Sequence, residues 1–188
     1  PWADRVDAHL WATLASDPAR VLLIGLPNPS LIEPLLEHGA ESVVVVNEDP
    51  QLVEELLATW TRSERKMLGS GRVEIVVRDA RAVLSSGSSY DLVIVQSPPG
   101  DTLLSARYST MEFFECVAGG LSEHGVLVAS LPSPPNAFEG AEAKVATSVY
   151  AAADAAFPAV RICPGADGLL VAGASWEQIP LGHDRQPR

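Results

Sequence analysis

Four stretches of this chain are nearly unbroken runs of β-branched and leucine residues: VLLIG at 21–25, SVVVVN at 42–47, VEIVVR at 73–78 and DLVIVQ at 91–96. A strand with one wet face alternates apolar and polar residues, so strands without that alternation must be covered on both faces. Helix-period segments separate the runs, and βα units of this kind build a parallel sheet with helices on both faces. Three further strands are expected, GVLVASL at 125–131, AVRIC at 159–163 and LLVAGA at 169–174. Little more than PGAD joins the last two, too short for a right-handed crossover, so they should pair antiparallel as a hairpin. The expected fold is α/β, a seven-stranded and mostly parallel sheet closed by an antiparallel C-terminal strand.

The helices carry their own signals. In VDAHLWATLAS, Val6, Leu10 and Leu14 fall on one stripe, expected to face the core. Ser30 and Glu33 fit a capping box, which would put Pro34 in the first helical turn and end the helix at Gly39. Asp49 and Pro50 open the next helix, where Val53, Leu56, Leu57 and Trp60 keep i, i+3, i+4, i+7 spacing. TMEFFECVAGGL supplies a helix stopped by Gly119 and Gly120, and the alanine-rich AEAKVATSVYAAADAAF is helical on propensity. SSGSS at 85–89, LPSPPNAFEG at 131–140 and the tail GHDRQPR read as loop or disorder. Residues 1–176 form one domain and 177–188 a tail.

At 188 residues and 47% hydrophobic content, the chain is long enough for one full core. The net charge of −11 repels phosphate backbones and argues against nucleic acid. No apolar run reaches the roughly 18 residues of a membrane span, and the N-terminus lacks a signal-peptide layout. Cys116 and Cys163 stand alone without metal or disulfide spacing, and the four histidines are scattered, so no metal site and a cytoplasmic setting are expected. Trp11, Trp60 and Tyr150 read as core rather than ligand stackers. Pro1 in place of methionine leaves open a longer parent chain, with contact to a missing N-terminal segment or a homodimer as the expected partners.

The antiparallel last strand resembles the class I S-adenosylmethionine-dependent methyltransferase fold. Within it, RVLLIG, HGAESVVVVNEDPQLVE, RVEIVVRDARAVL, YDLVIVQSPPGD and RYSTMEFFECVAGGLSEHGVLVAS resemble in order and spacing the spermidine synthase-like aminopropyltransferases, over about residues 20 to 175. The resemblance implies a transferase using S-adenosylmethionine or its decarboxylated form, with a nucleoside bound at the C-terminal ends of the strands.

Position by position, the resemblance is uneven. Gly25 matches the first glycine of the family's glycine-rich loop, but Leu26, Pro27, Pro29 and Ser30 replace later ones. Asn28 stands where the family has an Asp for the cofactor's aminopropyl ammonium. Prolines remove N–H donors, and side chains fill space that glycines leave free. At the end of the second strand, Asn47 matches an acid that binds both ribose hydroxyls; an amide accepts less well, and the neighbouring Glu48 is the alternative. Asp79 and Ala80 keep the family's acidic-then-small pair, implying contact with adenine, although Asp79 also suits a helix cap. Gln96 occupies the general-base Asp position and has no proton-accepting equilibrium near neutral pH; Asp101 lies a few residues on. Amides at 28, 47 and 96 retain polarity but lose the attraction for a doubly cationic cofactor. The family's N-terminal β-hairpin, part of its polyamine site, has no counterpart before the first strand. Two readings stay open: a divergent transferase, or a non-catalytic binding or assembly domain.

Overall fold

The computed structural model describes residues 2–96, 106–131, 141–163 and 168–175, with the side chains of 141 and 142 left out. Asp101, Ser133, Trp176, His183, the loop after Leu131, the PGAD connection and the tail lie outside the described residues.

In chain order the elements are α1 (Trp2–Leu14), β1 (Arg20–Ile24), α2 (Pro29–Glu37), β2 (Ser42–Asn47), α3 (Pro50–Thr59), α4 (Arg62–Leu68), β3 (Val73–Val77), α5 (Ala80–Leu84) and β4 (Tyr90–Val95). A 3₁₀ turn (Arg107–Ser109) follows, then α6 (Met111–Gly120), β5 (Leu121–Leu131), α7 (Ala141–Ala156), β6 (Ala159–Cys163) and β7 (Gly168–Gly173). The strands form one sheet in the order β3-β2-β1-β4-β5-β7-β6. Pairings from β3 through β5 are parallel, and β7 runs antiparallel between β5 and β6, as the short connection required.

The unbroken apolar runs of β1, β2 and β4 are explained by two cores, one on each side of the sheet; the run of β3 is not covered in the same way, since this edge strand leaves Glu74 and Val77 exposed. Val21, Leu23, Leu92, Ile94, Val126 and Val128 face one, with α1, α2 and Trp60. Leu22, Ile24, Val93, Val95, Leu127 and Ala129 face the other, with α5, α6 and α7. Period-two alternation thus sends neighbouring residues into opposite cores, and each fully buried Leu or Val is worth about 1.5–3 kcal/mol. The same order places the ends of β1 and β4 side by side at the centre of the sheet, with β2 and β3 flanking. Gly25, Asn47, Asp79 and Gln96 follow or end these four strands.

Four local expectations change. The buried face of α1 is Ala8, Trp11, Ala12 and Leu14, while Val6 and Leu10 are exposed; small alanines let α1 lie close against α2. Helix α2 begins two residues earlier than the capping-box reading, at Pro29, because Asn28 is the cap: its Oδ1 accepts from the Ser30 N–H at 3.0 Å. Pro34 therefore sits inside the helix. The segment after Asp49 is two helices, broken where Trp60 leaves helical geometry and Thr61 and Glu64 form a reciprocal capping box. Strand β5 starts at Leu121, with a register shift opposite β4 between Tyr90 and Leu92. The expected cap at Asp49 is present, accepting from Gln51 and Leu52 N–H at 3.0 and 3.1 Å.

Candidate functional site

The C-terminal strand ends gather the sequence-derived positions. Gly25, just beyond β1, is fixed by its N–H to the Val46 carbonyl at 3.0 Å. A Cβ on Gly25 would lie 2.8 Å from Gln96 Cβ and 3.0 Å from Gln96 Oε1. The space a glycine leaves for a ligand is thus filled from β4 by Gln96. That side chain's Oε1 is buried and has no hydrogen-bond partner among the described residues. An amide at this position neither takes up a proton nor satisfies its own oxygen.

The other two amides are spent on the fold. Asn28 caps α2 and donates from Nδ2 to Asp4 Oδ2 at 3.1 Å, tying the loop to the start of α1. Asn47 donates to the Gly25 carbonyl at 3.0 Å and accepts from the Asp49 N–H at 2.9 Å, linking the ends of β1 and β2.

The two remaining acids are bound to one cation that the sequence reading passed over. Arg107 Nη1 donates to both oxygens of Glu48 at 2.8 and 2.7 Å, and its Nη2 donates to Asp79 Oδ2. Asp79 Oδ1 caps α5 through the Arg81 N–H at 2.8 Å, and Ala80 is fully buried. Arg81 Nη2 in turn donates to the Arg107 carbonyl at 2.8 Å, and the Arg107 guanidinium lies 5.3 Å from the Tyr108 ring centroid. Burial pulls the Arg107 pKa down, but Tyr108, Asp79 and Glu48 push it up more, so the group is held charged. Burial likewise raises the Tyr108 phenol, with Glu48 adding to the shift. Arg107 opens the distinctive RYSTMEFF segment, so its proximity to these acids was the available signal; its side-chain direction was not.

Beside the loop, a cleft of about 310 Å³ is lined by Leu26, Pro27, Pro29, Leu56, Trp60 and Gln96, among others. A larger cleft of about 650 Å³ lies at the opposite, N-terminal ends of β1 and β4, by Asp17, Asp91 and His124. The smaller one is the relevant one, because ligands of open α/β sheets sit at the carboxyl ends of the strands. Trp60 is only 5% exposed, so it is chiefly a core residue at the cleft wall. Among the described residues no cluster of three His, Cys, Asp or Glu side chains is placed to hold a metal, and no helix is long and apolar enough to cross a membrane. The histidines are less scattered than the sequence suggested: His9 Nδ1 and His38 Nε2 are 2.9 Å apart, and Asp17 is 3.1 Å from the far side of His38.

This architecture defines a fold class: the methyltransferase-type Rossmann-like α/β fold. Solved structures align over nearly the whole chain. Spermidine synthase from Thermotoga maritima superposes with a TM-score of 0.74 at 20% identity, covering 94% of this chain and 61% of that one. Human methyltransferase-like protein 13, in complex with SAH, does so at 0.67 and 18%, covering 93% and 82%. A spermidine synthase in complex with the transition state analogue AdoDATO gives 0.72 and 18%, covering 94% and 61%.

The chain is spermidine synthase-like, a homologue of the polyamine aminopropyltransferases. The polyamine aminopropyltransferase of Mycobacterium tuberculosis is 31% identical over 132 residues, 65% of this chain and 25% of that protein. Polyamine aminopropyltransferase 2 of Hyperthermus butylicus is 31% identical over 123 residues, 62% and 39%. The chain thus spans between a quarter and two fifths of the length of these two relatives. No family model matches it.

Proposed function

We propose that this domain is a non-catalytic spermidine synthase-like module that has lost aminopropyl transfer and retains, at most, recognition of an uncharged adenine-nucleoside thioether. One observation carries the reading: Gln96, at the position that the resemblance matches to the general base, is pressed against Gly25 with its amide oxygen buried and without a hydrogen-bond partner among the described residues. A decarboxylated S-adenosylmethionine brings a sulfonium and an ammonium, and neither Asn28, Asn47 nor Gln96 offers either a negative charge. These three positions therefore do not supply the charge that the cationic half of that cofactor calls for. The nucleoside half fits better, since Glu48, Asp79 and Ala80 occupy the strand ends. That structural neighbours were solved in complex with AdoDATO and with SAH supports a nucleoside-type ligand for this fold, and the strand ends are where open α/β sheets bind one. The two free cysteines, Cys116 and Cys163, agree with a cytoplasmic module.

Calorimetry with S-adenosylmethionine, its decarboxylated form and methylthioadenosine, alongside an aminopropyl-transfer assay, tests the reading. Methylthioadenosine should bind at least as tightly as either sulfonium compound, and no transfer should be seen. Preferential micromolar binding of the decarboxylated cofactor with product formation would overturn it.

A further inference from the structure

We propose that Arg107 is a built-in competitor for the nucleoside subsite, a side chain that holds Glu48 and Asp79 and must swing away before a nucleoside can bind them. The inference deepens the reading above and rests on it for the identity of the ligand.

The accounting of acceptors is the first argument. Both Glu48 oxygens accept from Arg107, one Asp79 oxygen accepts from Arg107, and the other accepts from the Arg81 N–H. Each oxygen of these two carboxylates therefore already accepts one bond from the protein, which leaves at most one acceptor site per oxygen, and the guanidinium stands on the side from which it bridges the two acids. Ribose hydroxyls and an adenine amino group are neutral donors, so a nucleoside that replaces the guanidinium gives up the ion–ion attraction to both carboxylates and keeps only the hydrogen bonds.

The attachment of Arg107 is the second. Its backbone carbonyl is held by Arg81, so release of the acids needs only rotation of the Arg107 side chain. Its Nε is buried without a partner among the described residues. A guanidinium satisfied on Nη1 and Nη2 but not on Nε is bound less firmly than a fully satisfied one, which suits a reversible latch. With a free state populated at about 1–10%, apparent nucleoside affinity falls by about 10- to 100-fold relative to an open site.

Methylthioadenosine calorimetry on wild type, Arg107→Leu, Arg107→Lys and Arg107→Leu with Asp79→Asn decides the matter, with thermal unfolding as a check of folding. Arg107→Leu should bind at least about tenfold tighter than wild type, and Arg107→Lys should fall between, since one ammonium cannot span both acids. Adding Asp79→Asn should cancel the gain; asparagine still caps α5, so the fold is kept. No gain in a folded Arg107→Leu overturns the proposal, as does a gain that survives Asp79→Asn. If neither Arg107 variant folds, the arginine is a structural pin and the proposal fails. None of these results measures aminopropyl transfer, so loss of this proposal leaves the non-catalytic reading standing, and observed transfer would sink only the latter.

Discussion

Arg107 reaches Glu48 across 59 residues of sequence and gives one nitrogen, Nη1, to both carboxylate oxygens at 2.8 and 2.7 Å. The side chains are 22% and 33% exposed, so solvent screens the pair and its value is well below that of a buried one. A double-mutant cycle with Arg107→Ala and Glu48→Ala, read by urea unfolding, should give a coupling of about 1 kcal/mol. The corresponding Arg107/Asp79 cycle should give a similar value, and a coupling near zero in both would mean the clamp does not persist in solution.

Gly25 and Gln96 meet too closely for any side chain at position 25. Gly25→Ala would set a Cβ 2.8 Å from Gln96 Cβ and should cost about 1–3 kcal/mol of stability. Gln96→Ala leaves the offending Cβ in place and should not relieve the clash, whereas Gln96→Gly should. Gly25 has φ +154°, so part of the cost persists whatever stands at 96, and Gln96→Gly has a cost of its own; zero coupling between the two substitutions in a double-mutant cycle would show that the loop, not Gln96, absorbs the contact.

Much of the fold was legible because it is written in local terms. Period-two burial into two cores demanded the unbroken runs of β1, β2 and β4, and the short connection after β6 demanded an antiparallel β7. Where two local signals competed, the sequence was ambiguous. Asn28 followed by Pro29 and Ser30 paired with Glu33 are both credible helix starts, and the structure uses the first. On α1, Val6 and Leu10 are more hydrophobic than Ala8 and Ala12, yet the alanines are buried because helix-to-helix distance favours small residues. The candidate site was legible as positions but not as partners. That Asn47 binds Gly25, that Asn28 binds Asp4 and that Arg107 binds both acids are long-range facts which residue type and spacing do not encode.

Restoring a carboxylate to the loop is more delicate than the sequence implies. Asn28 Nδ2 donates to Asp4 Oδ2 at 3.1 Å, so Asn28→Asp sets two carboxylates face to face. Aspartate caps a helix as well as asparagine, so the substitution isolates the repulsion. Stability at pH 7 should fall by about 1 kcal/mol, the loss should vanish below about pH 4, and Asp4→Asn should suppress it. A gain of affinity for decarboxylated S-adenosylmethionine is therefore to be sought in Asn28→Asp combined with Asp4→Asn and Gln96→Asp. If that triple variant folds but binds no better than wild type, space rather than charge closes the site.

The junction between α3 and α4 supplies a pH test independent of the site. Glu64 accepts from the Thr61 N–H at 2.6 Å while Thr61 Oγ1 accepts from the Glu64 N–H at 3.3 Å. These bonds to Thr61 hold the Glu64 carboxyl below its ordinary value of 4.5. Glu112 is depressed in the same direction at the start of α6, first by its own backbone N–H and then by Thr110. A carboxylate whose folded pKa lies below its unfolded one contributes stability above the unfolded value and loses it as pH falls through the folded value. Unfolding free energy should therefore decline as pH drops below about 4.5, and Glu64→Gln should flatten part of that decline. Glutamine can keep the reciprocal hydrogen bonds of the cap, so the stability of Glu64→Gln at pH 7 should fall far less than that of Thr61→Ala. An unchanged acid limb in Glu64→Gln would show that this cap frays in solution and that α3 and α4 are not held at Thr61.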